Sequence, residues 1–190
     1  MMAVNIGVIA EERNDIEVLY EFTCKLVPEN SFTFSSFAAH GCGRLRNKCR
    51  GWSNNLIQRG CTHLVIIHDL DTEVQNTLRA ELDNSVRDTG FSGRIILIPV
   101  FEIEAWLLSD PLAIQQTFGM KRLPNVPQNP ETIPHPKEYL RDVVWKYSKK
   151  RYVNTIHNKK VASVLSIRKA LSCGSFAPYQ PFLSNTITPC

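Results

Sequence analysis

The run His63-Leu64-Val65-Ile66-Ile67-His68-Asp69-Leu70-Asp71 constrains this chain more than any other stretch. A short apolar, β-branched segment reads as a buried strand. Side chains alternate faces along a strand, so Asp69 and Asp71 are expected to leave its end pointing the same way, as a paired carboxylate claw. The pattern recurs on either side. Val4–Ala10 runs into Glu11-Glu12, and Ile95–Val100 runs into Glu102 and Glu104. Three strand ends bearing oxygen ligands predict one convergent acidic pocket.

The segments between these strands have helical character. Asn14, followed three residues later by Glu17, has the form of a capping box, and Ile16, Leu19, Tyr20, Thr23 and Leu26 keep a helical period, which predicts a helix over 15–27. A second strand is expected over 31–37, a turn at Gly41-Cys42-Gly43, and helices over 44–59 and 72–89. Strands alternating with helices of this length predict an α/β, Rossmannoid sandwich with a mostly parallel central sheet. Glu104–Leu108 turns helical and Asp110-Pro111 opens another short helix. Five prolines between 124 and 136 predict a connector without regular structure. Helices are expected over 137–150 and 158–171, and Gly174, Pro178, Pro181 and Pro189 predict an irregular tail. The domain reading is an α/β core over 1–123, the connector over 124–136, and a basic helical extension over 137–190 packed on the core.

With 190 residues and 43% hydrophobic content, the chain can bury one sizeable core. No stretch approaches a membrane span, and two glutamates follow the first apolar run where a secretory signal would differ, so a cytoplasmic protein that does not enter membranes is expected. The six cysteines, Cys24, Cys42, Cys49, Cys61, Cys173 and Cys190, form no C-x-x-C pair, which argues against structural zinc and favours reduced thiols.

Charge divides the chain. Residues 1–136 hold 12 Lys and Arg against 16 Asp and Glu, a balance of −4, whereas residues 137–190 hold 10 against 2, a balance of +8. Acidic residues therefore gather around the expected pocket, and a separate basic segment is available to a polyanion. Lys149, Lys150 and Arg151, with Lys159 and Lys160, are the candidate nucleic-acid contacts there. Arg44, Arg46 and Lys48 form a second basic cluster after the glycine turn. The plain alternative for each cluster is a solvated helix face.

Carboxylates at strand ends suit Mg²⁺ or Mn²⁺, one ion or two, because these ions prefer oxygen ligands and take the remainder from water and substrate phosphate. Taken alone, Asp69-Leu70-Asp71 is more often a turn with Asp as a helix cap. The coincidence of three such stations at the carboxyl ends of strands, where open α/β sheets bind ligands, favours chemistry. Trp106 reads as core. His68 beside the claw reads as an ordinary buried histidine, with a donor or general-base role as the alternative.

The order of a strand ending in Glu11, Asp15 four residues on, and a later strand ending in Asp69-Leu70-Asp71 resembles the TOPRIM domain of topoisomerases, primases and small nucleases. Phe101–Asp110, Gly41-Cys42-Gly43, Pro136-Lys137 and Ser175-Phe176 extend the likeness to a TOPRIM-like bacterial family associated with ABC-type ATPases in phage-defence loci. That family is similar to the nuclease half of overcoming-lysogenization-defect proteins. The resemblance implies a TOPRIM-like fold and a metal-dependent nuclease acting on DNA or RNA with an ATPase partner. It also implies Glu11, Asp69 and Asp71 as metal ligands, Glu102 and Glu104 as further ligands, and Lys137 stabilising charge on the phosphate. Homo-oligomer formation stays open. One position departs from the pattern: Glu12 stands where TOPRIM domains place glycine, which makes Glu12 an alternative ligand.

Two rivals remain. A haloacid-dehalogenase-like phosphatase also uses D-x-D after an apolar strand, but it wants Thr or Val where this chain has Glu73, and it places the motif on the first strand. A non-catalytic TOPRIM-like subunit that docks on an ATPase or on nucleic acid is favoured by Glu12 in the glycine position.

Overall fold

The computed structural model describes residues 3–187. Pro189 and Cys190 lie outside the described residues. Four strands, β1 (Val4–Ala10), β2 (Phe32–Ala38), β3 (His63–Ile67) and β4 (Gly93–Leu97), form one sheet in the order β2-β1-β3-β4. Every neighbouring pair is parallel. The expected Rossmannoid α/β layering is therefore present.

Strand alternation sorts the core into two layers. Val8, Ala10, Val65, Ile67 and Leu97 face one side, and Ile9, Leu64, Ile66, Ile96 and Ile98 face the other. The first layer is covered by α1 (Arg13–Leu26), α4 (Glu104–Leu108), α5 (Pro111–Phe118), α6 (Pro136–Ser148) and α7 (Asn154–Val164). The second is covered by α2 (Cys42–Gln58) and α3 (Gln75–Val86). Residues 137–190 contribute Leu140, Val144, Phe176, Tyr179 and Leu183 to the first layer, the layer that also holds β1 and α1.

Several local expectations are corrected. The cap of α1 is Glu12, not Asn14: the Glu12 side chain accepts the N–H of Asp15, and Asp15 Oδ2 accepts the N–H of Glu12 at 2.8 Å. An acid at both ends of that box supplies the capping that Asn14-x-x-Glu17 was expected to give. The helix expected over 158–171 is two, α7 and α8 (Ile167–Ala170). Asp110 Oδ2 accepts the Ser166 N–H at 2.9 Å in the extended break between them, and its other oxygen caps α5 through Leu112. The tail is not irregular, because α9 spans Tyr179–Thr186. Pro181 falls within its first turn, where a missing N–H breaks no helical hydrogen bond. In the connector, Pro130–Thr132 forms a single 3₁₀ turn.

Candidate metal centre

Chain order in the sheet reverses between β1 and β3, so their carboxyl ends border the crevice where parallel sheets of this kind bind ligands. Ala10 pairs with Ile67 in register, which sets Glu11 beside His68. The Asp69 N–H donates to Glu11 Oε1 at 3.0 Å, and His68 Nδ1 lies 3.0 Å from the same oxygen and 2.7 Å from Asp69 O. Arg46 of α2 approaches from the other side, with Nε 3.4 Å from His68 Nε2. Burial works against a charge on His68, but the hydrogen bonds to Glu11 and to the Asp69 carbonyl outweigh it and raise its pKa.

Alternation places Asp69 toward α1, among acids. The residue is half-buried, its Oδ1 is buried without a hydrogen-bond partner, and its pKa is raised well above the ordinary carboxylate range by desolvation and by Asp15, Glu104, Glu11 and Asp71. Burial likewise pushes Asp15 up to about 8, with Glu104, Glu12 and Glu11 adding to it against the Glu12 N–H, which lowers it. Carboxyls this close share protons rather than ionise together.

The claw itself takes a different form from the one expected. Asp71 has a left-handed backbone, φ 47°, and is exposed, so the two aspartates do not leave β3 as successive steps of one strand. His40 (φ 58°) after β2 and Phe101 (φ 63°) after β4 have the same conformation. Non-glycine residues rarely adopt it, and beyond the carboxyl ends of three of the four strands it concentrates strain along this edge of the sheet. Main-chain bonds hold these loops: Asp71 N donates to Phe101 O at 3.2 Å and His40 N to Glu11 O at 2.7 Å.

The third station splits in two. Glu102 accepts the Lys137 N–H at 2.9 Å, and Lys137 Nζ lies 4.0 Å from its other oxygen. Glu104 is buried and held by Tyr152 Oη at 3.1 Å and Asn158 Nδ2 at 3.0 Å. Burial disfavours the Lys137 charge, yet Glu104, Glu102, Glu12 and Asp69 together raise its pKa, so the lysine faces the whole acidic group.

The donor set fits a hard divalent cation: clustered carboxylates, an orphaned buried oxygen on Asp69, and protons held on acids that a cation would displace. Among the described residues, however, no three His, Cys, Asp or Glu side chains are arranged closely enough to hold an ion. Glu11, Asp69 and Asp71, with Glu102 and Glu104, are the carboxylates gathered at this edge of the sheet, and to hold an ion they would have to draw closer together.

Most of this chain, residues 22–181, matches a family model described as Domain of unknown function (DUF4276). The chain belongs to the DUF4276 family. The matched span includes Asp69, Asp71, Glu102, Glu104 and Lys137, and begins within α1, past Glu11. No curated protein and no solved structure matches the chain.

In this DUF4276 chain the expected cationic contacts are divided by the sheet. Arg44 and Lys48 are exposed on α2, whereas Arg46 is engaged by Glu73 and Glu81. Lys149, Lys150 and Arg151 are exposed beyond α6. Lys159 and Lys160 are exposed on α7, Lys159 at 3.9 Å from Glu21. Glu12, the alternative ligand, is occupied by the cap and by Asn154 Nδ2 at 3.3 Å.

Sequence reasoning named Asp15 only within the TOPRIM-like pattern and gave it no role in the site, and it passed over Arg46 as a His68 partner and the Tyr152–Asn158 clamp on Glu104. A helix-initial aspartate after Glu-Glu is the one local signal for Asp15; the others are long-range contacts. The five described cysteines are free thiols, and no helix among the described residues is long and apolar enough to cross a membrane.

Proposed function

We propose that this DUF4276 chain is a Mg²⁺- or Mn²⁺-dependent phosphodiesterase of TOPRIM type that cuts DNA or RNA. The observation that carries the reading is the Asp69 carboxyl with one buried, unpartnered oxygen, set at the β1/β3 switch point against Glu11 and held near Asp15 and Glu104. That much carboxylate at the ligand-binding end of a parallel sheet calls for a cation.

Glu11, Asp69 and Asp71 would hold the ion, with Glu102 and Glu104 as further ligands. A bound divalent ion polarises a phosphodiester and lowers the pKa of water. The chain's own groups do the rest. Lys137, drawn toward the acids by their charge, is placed to meet negative charge on the phosphate. His68 fixes Glu11 and the Asp69 carbonyl on the α2 side, and Tyr152 with Asn158 keeps Glu104 oriented. An ABC-type ATPase partner, a role in phage defence and a cytoplasmic location belong to the same reading through the TOPRIM-like resemblance.

The test is divalent-ion-dependent cleavage of DNA and RNA by the full chain beside Asp69→Asn and Asp71→Asn. Loss of cleavage in both variants is expected, and cleavage that survives both contradicts the reading. A second reading, a non-catalytic subunit docking on an ATPase, draws support from the open spacing of the acids. Inactivity on every nucleic acid together with tight association to an ATPase would favour it. Hydrolysis of small phosphomonoesters alone would favour the phosphatase.

A further inference from the structure

The first turn of α6 carries Lys137 at the acidic pocket, and its far end carries a second basic concavity. Lys137, Arg141 and Trp145 recur every four residues, so they lie one above another along a single, slowly turning face, and Lys149, the left-handed residue that caps α6, follows at its end. Arg141, Trp145 and Lys149 are exposed, Arg141 with its Nε 3.0 Å from Asp142 Oδ1, and Trp145 is 58% exposed, unusual for so large an apolar ring. At the pocket end Lys137, Arg141 and Arg151 line a cleft of about 250 Å³, with Glu138 its one carboxylate. At the far end Lys121 and Arg122, from the loop after α5, meet Lys146 and Lys149 around a cleft of about 540 Å³ that no carboxylate lines.

We propose that this face of α6 is a track for single-stranded nucleic acid, with Trp145 stacking a base between the two cationic clefts. The proposal deepens the phosphodiesterase reading by naming the form of its substrate. The chemistry is specific in three respects. Cations at both ends and an aromatic ring between them are what a backbone with unstacked bases recognises, whereas a duplex hides its base faces. Lys149 Nζ lies over one face of the Trp145 ring, 5.8 Å from its centre, so a cation is already held at the ring to meet a phosphate next to the stacked base. The length also fits: α6 rises ~12 Å from Lys137 to Trp145, enough for more than one nucleotide of a strand laid along it. Concave clefts with converging cations favour a strand over a flat lipid surface.

The test is fluorescence anisotropy of a labelled 12-nucleotide oligo(dT) with the full chain in EDTA. EDTA prevents cleavage, so binding here and failure of the metal-dependent reading are independent results. Trp145→Ala should weaken binding about five-fold or more, the share held by one base stacked on an aromatic ring, while Trp145→Phe keeps most of it. Lys121→Ala with Lys149→Ala should lower the slope of log affinity against log salt by about 1.4, roughly 0.7 for each lost phosphate contact. Circular dichroism should be unchanged for these exposed positions. The proposal is overturned if oligo(dT) does not bind, if a duplex of equal length binds as tightly and Trp145→Ala has no effect, or if the chain instead binds phosphatidylserine vesicles.

Discussion

The main-chain N–H of Asp69 donates to Glu11 Oε1 at 3.0 Å, tying the residue that follows β1 to the loop that follows β3. The bond spans the switch point of the sheet and fixes the distance between the first two acidic stations. It leaves Asp69 Oδ1 buried and unsatisfied, with other acids close by. On the proposed reading, a site preset in this way holds protons without a cation and would exchange them for one.

The first consequence concerns Asp69→Asn. The amide keeps the shape and removes the ionisable group, so without metal the variant should be at least as stable as the native chain at pH 8. It should also lose the rise in Tm that Mn²⁺ gives the native chain, a rise worth about 2.7 kcal/mol when the ion is a hundred-fold above its Kd. Thermal scans with and without Mn²⁺ check both.

The pH dependence of the metal-free chain follows from Asp15, pushed from 3.8 up to about 8. Between those values the folded chain keeps a proton that the unfolded chain releases, so stability is full at low pH and falls as pH rises through the window. The loss is at most about 1.4 kcal/mol per pH unit for one such group. Urea midpoints at pH 5, 6, 7 and 8 should decline in that order without metal, and Mn²⁺ should flatten the decline. A rising series would contradict the protonated acids.

Tyr152→Phe removes the hydroxyl that Glu104 accepts at 3.1 Å and that also bonds Asn158 in the same buried cluster. The variant should lose about 1–3 kcal/mol by urea denaturation, the cost of leaving buried polar partners unmatched. If Tyr152 orients Glu104, ion affinity should weaken with it. Unchanged affinity at reduced stability would make the tyrosine structural only.

Glu131 ties the connector to the segment before α9, accepting from Gly174 N at 2.8 Å and from Ser175 N at 3.0 Å. Ser175 Oγ in turn accepts from Trp106 Nε1 at 2.8 Å. Glu131→Ala should therefore destabilise the chain by about 2 kcal/mol and, lying away from the acids, leave metal affinity unchanged.

How much of this was legible in the sequence depends on range. The strands, their parallel packing and the acids at their ends follow from short apolar runs and their punctuation, which report local structure. The order β2-β1-β3-β4 is a tertiary property, and it is what brings Glu11 next to Asp69 rather than merely to the same edge. The claw expected from alternation was redirected at Asp71, because a left-handed residue ends the two-residue period and no β-strand pattern announces it. Trp106 and Ser175-Phe176 lie far apart in sequence and pack with ring centres at 4.9 Å. The tail helix α9 was hidden by its own prolines, which lie at its start.

The most direct measurement is titration calorimetry of Mn²⁺ into the full chain at pH 7 in two buffers of different ionisation enthalpy. If the switch-point acids hold the ion, binding occurs with release of about one proton or more per ion, and Asp69→Asn abolishes both the heat and the proton release. Absence of binding to the native chain, or binding that Asp69→Asn leaves intact, would show that these acids are not a metal centre.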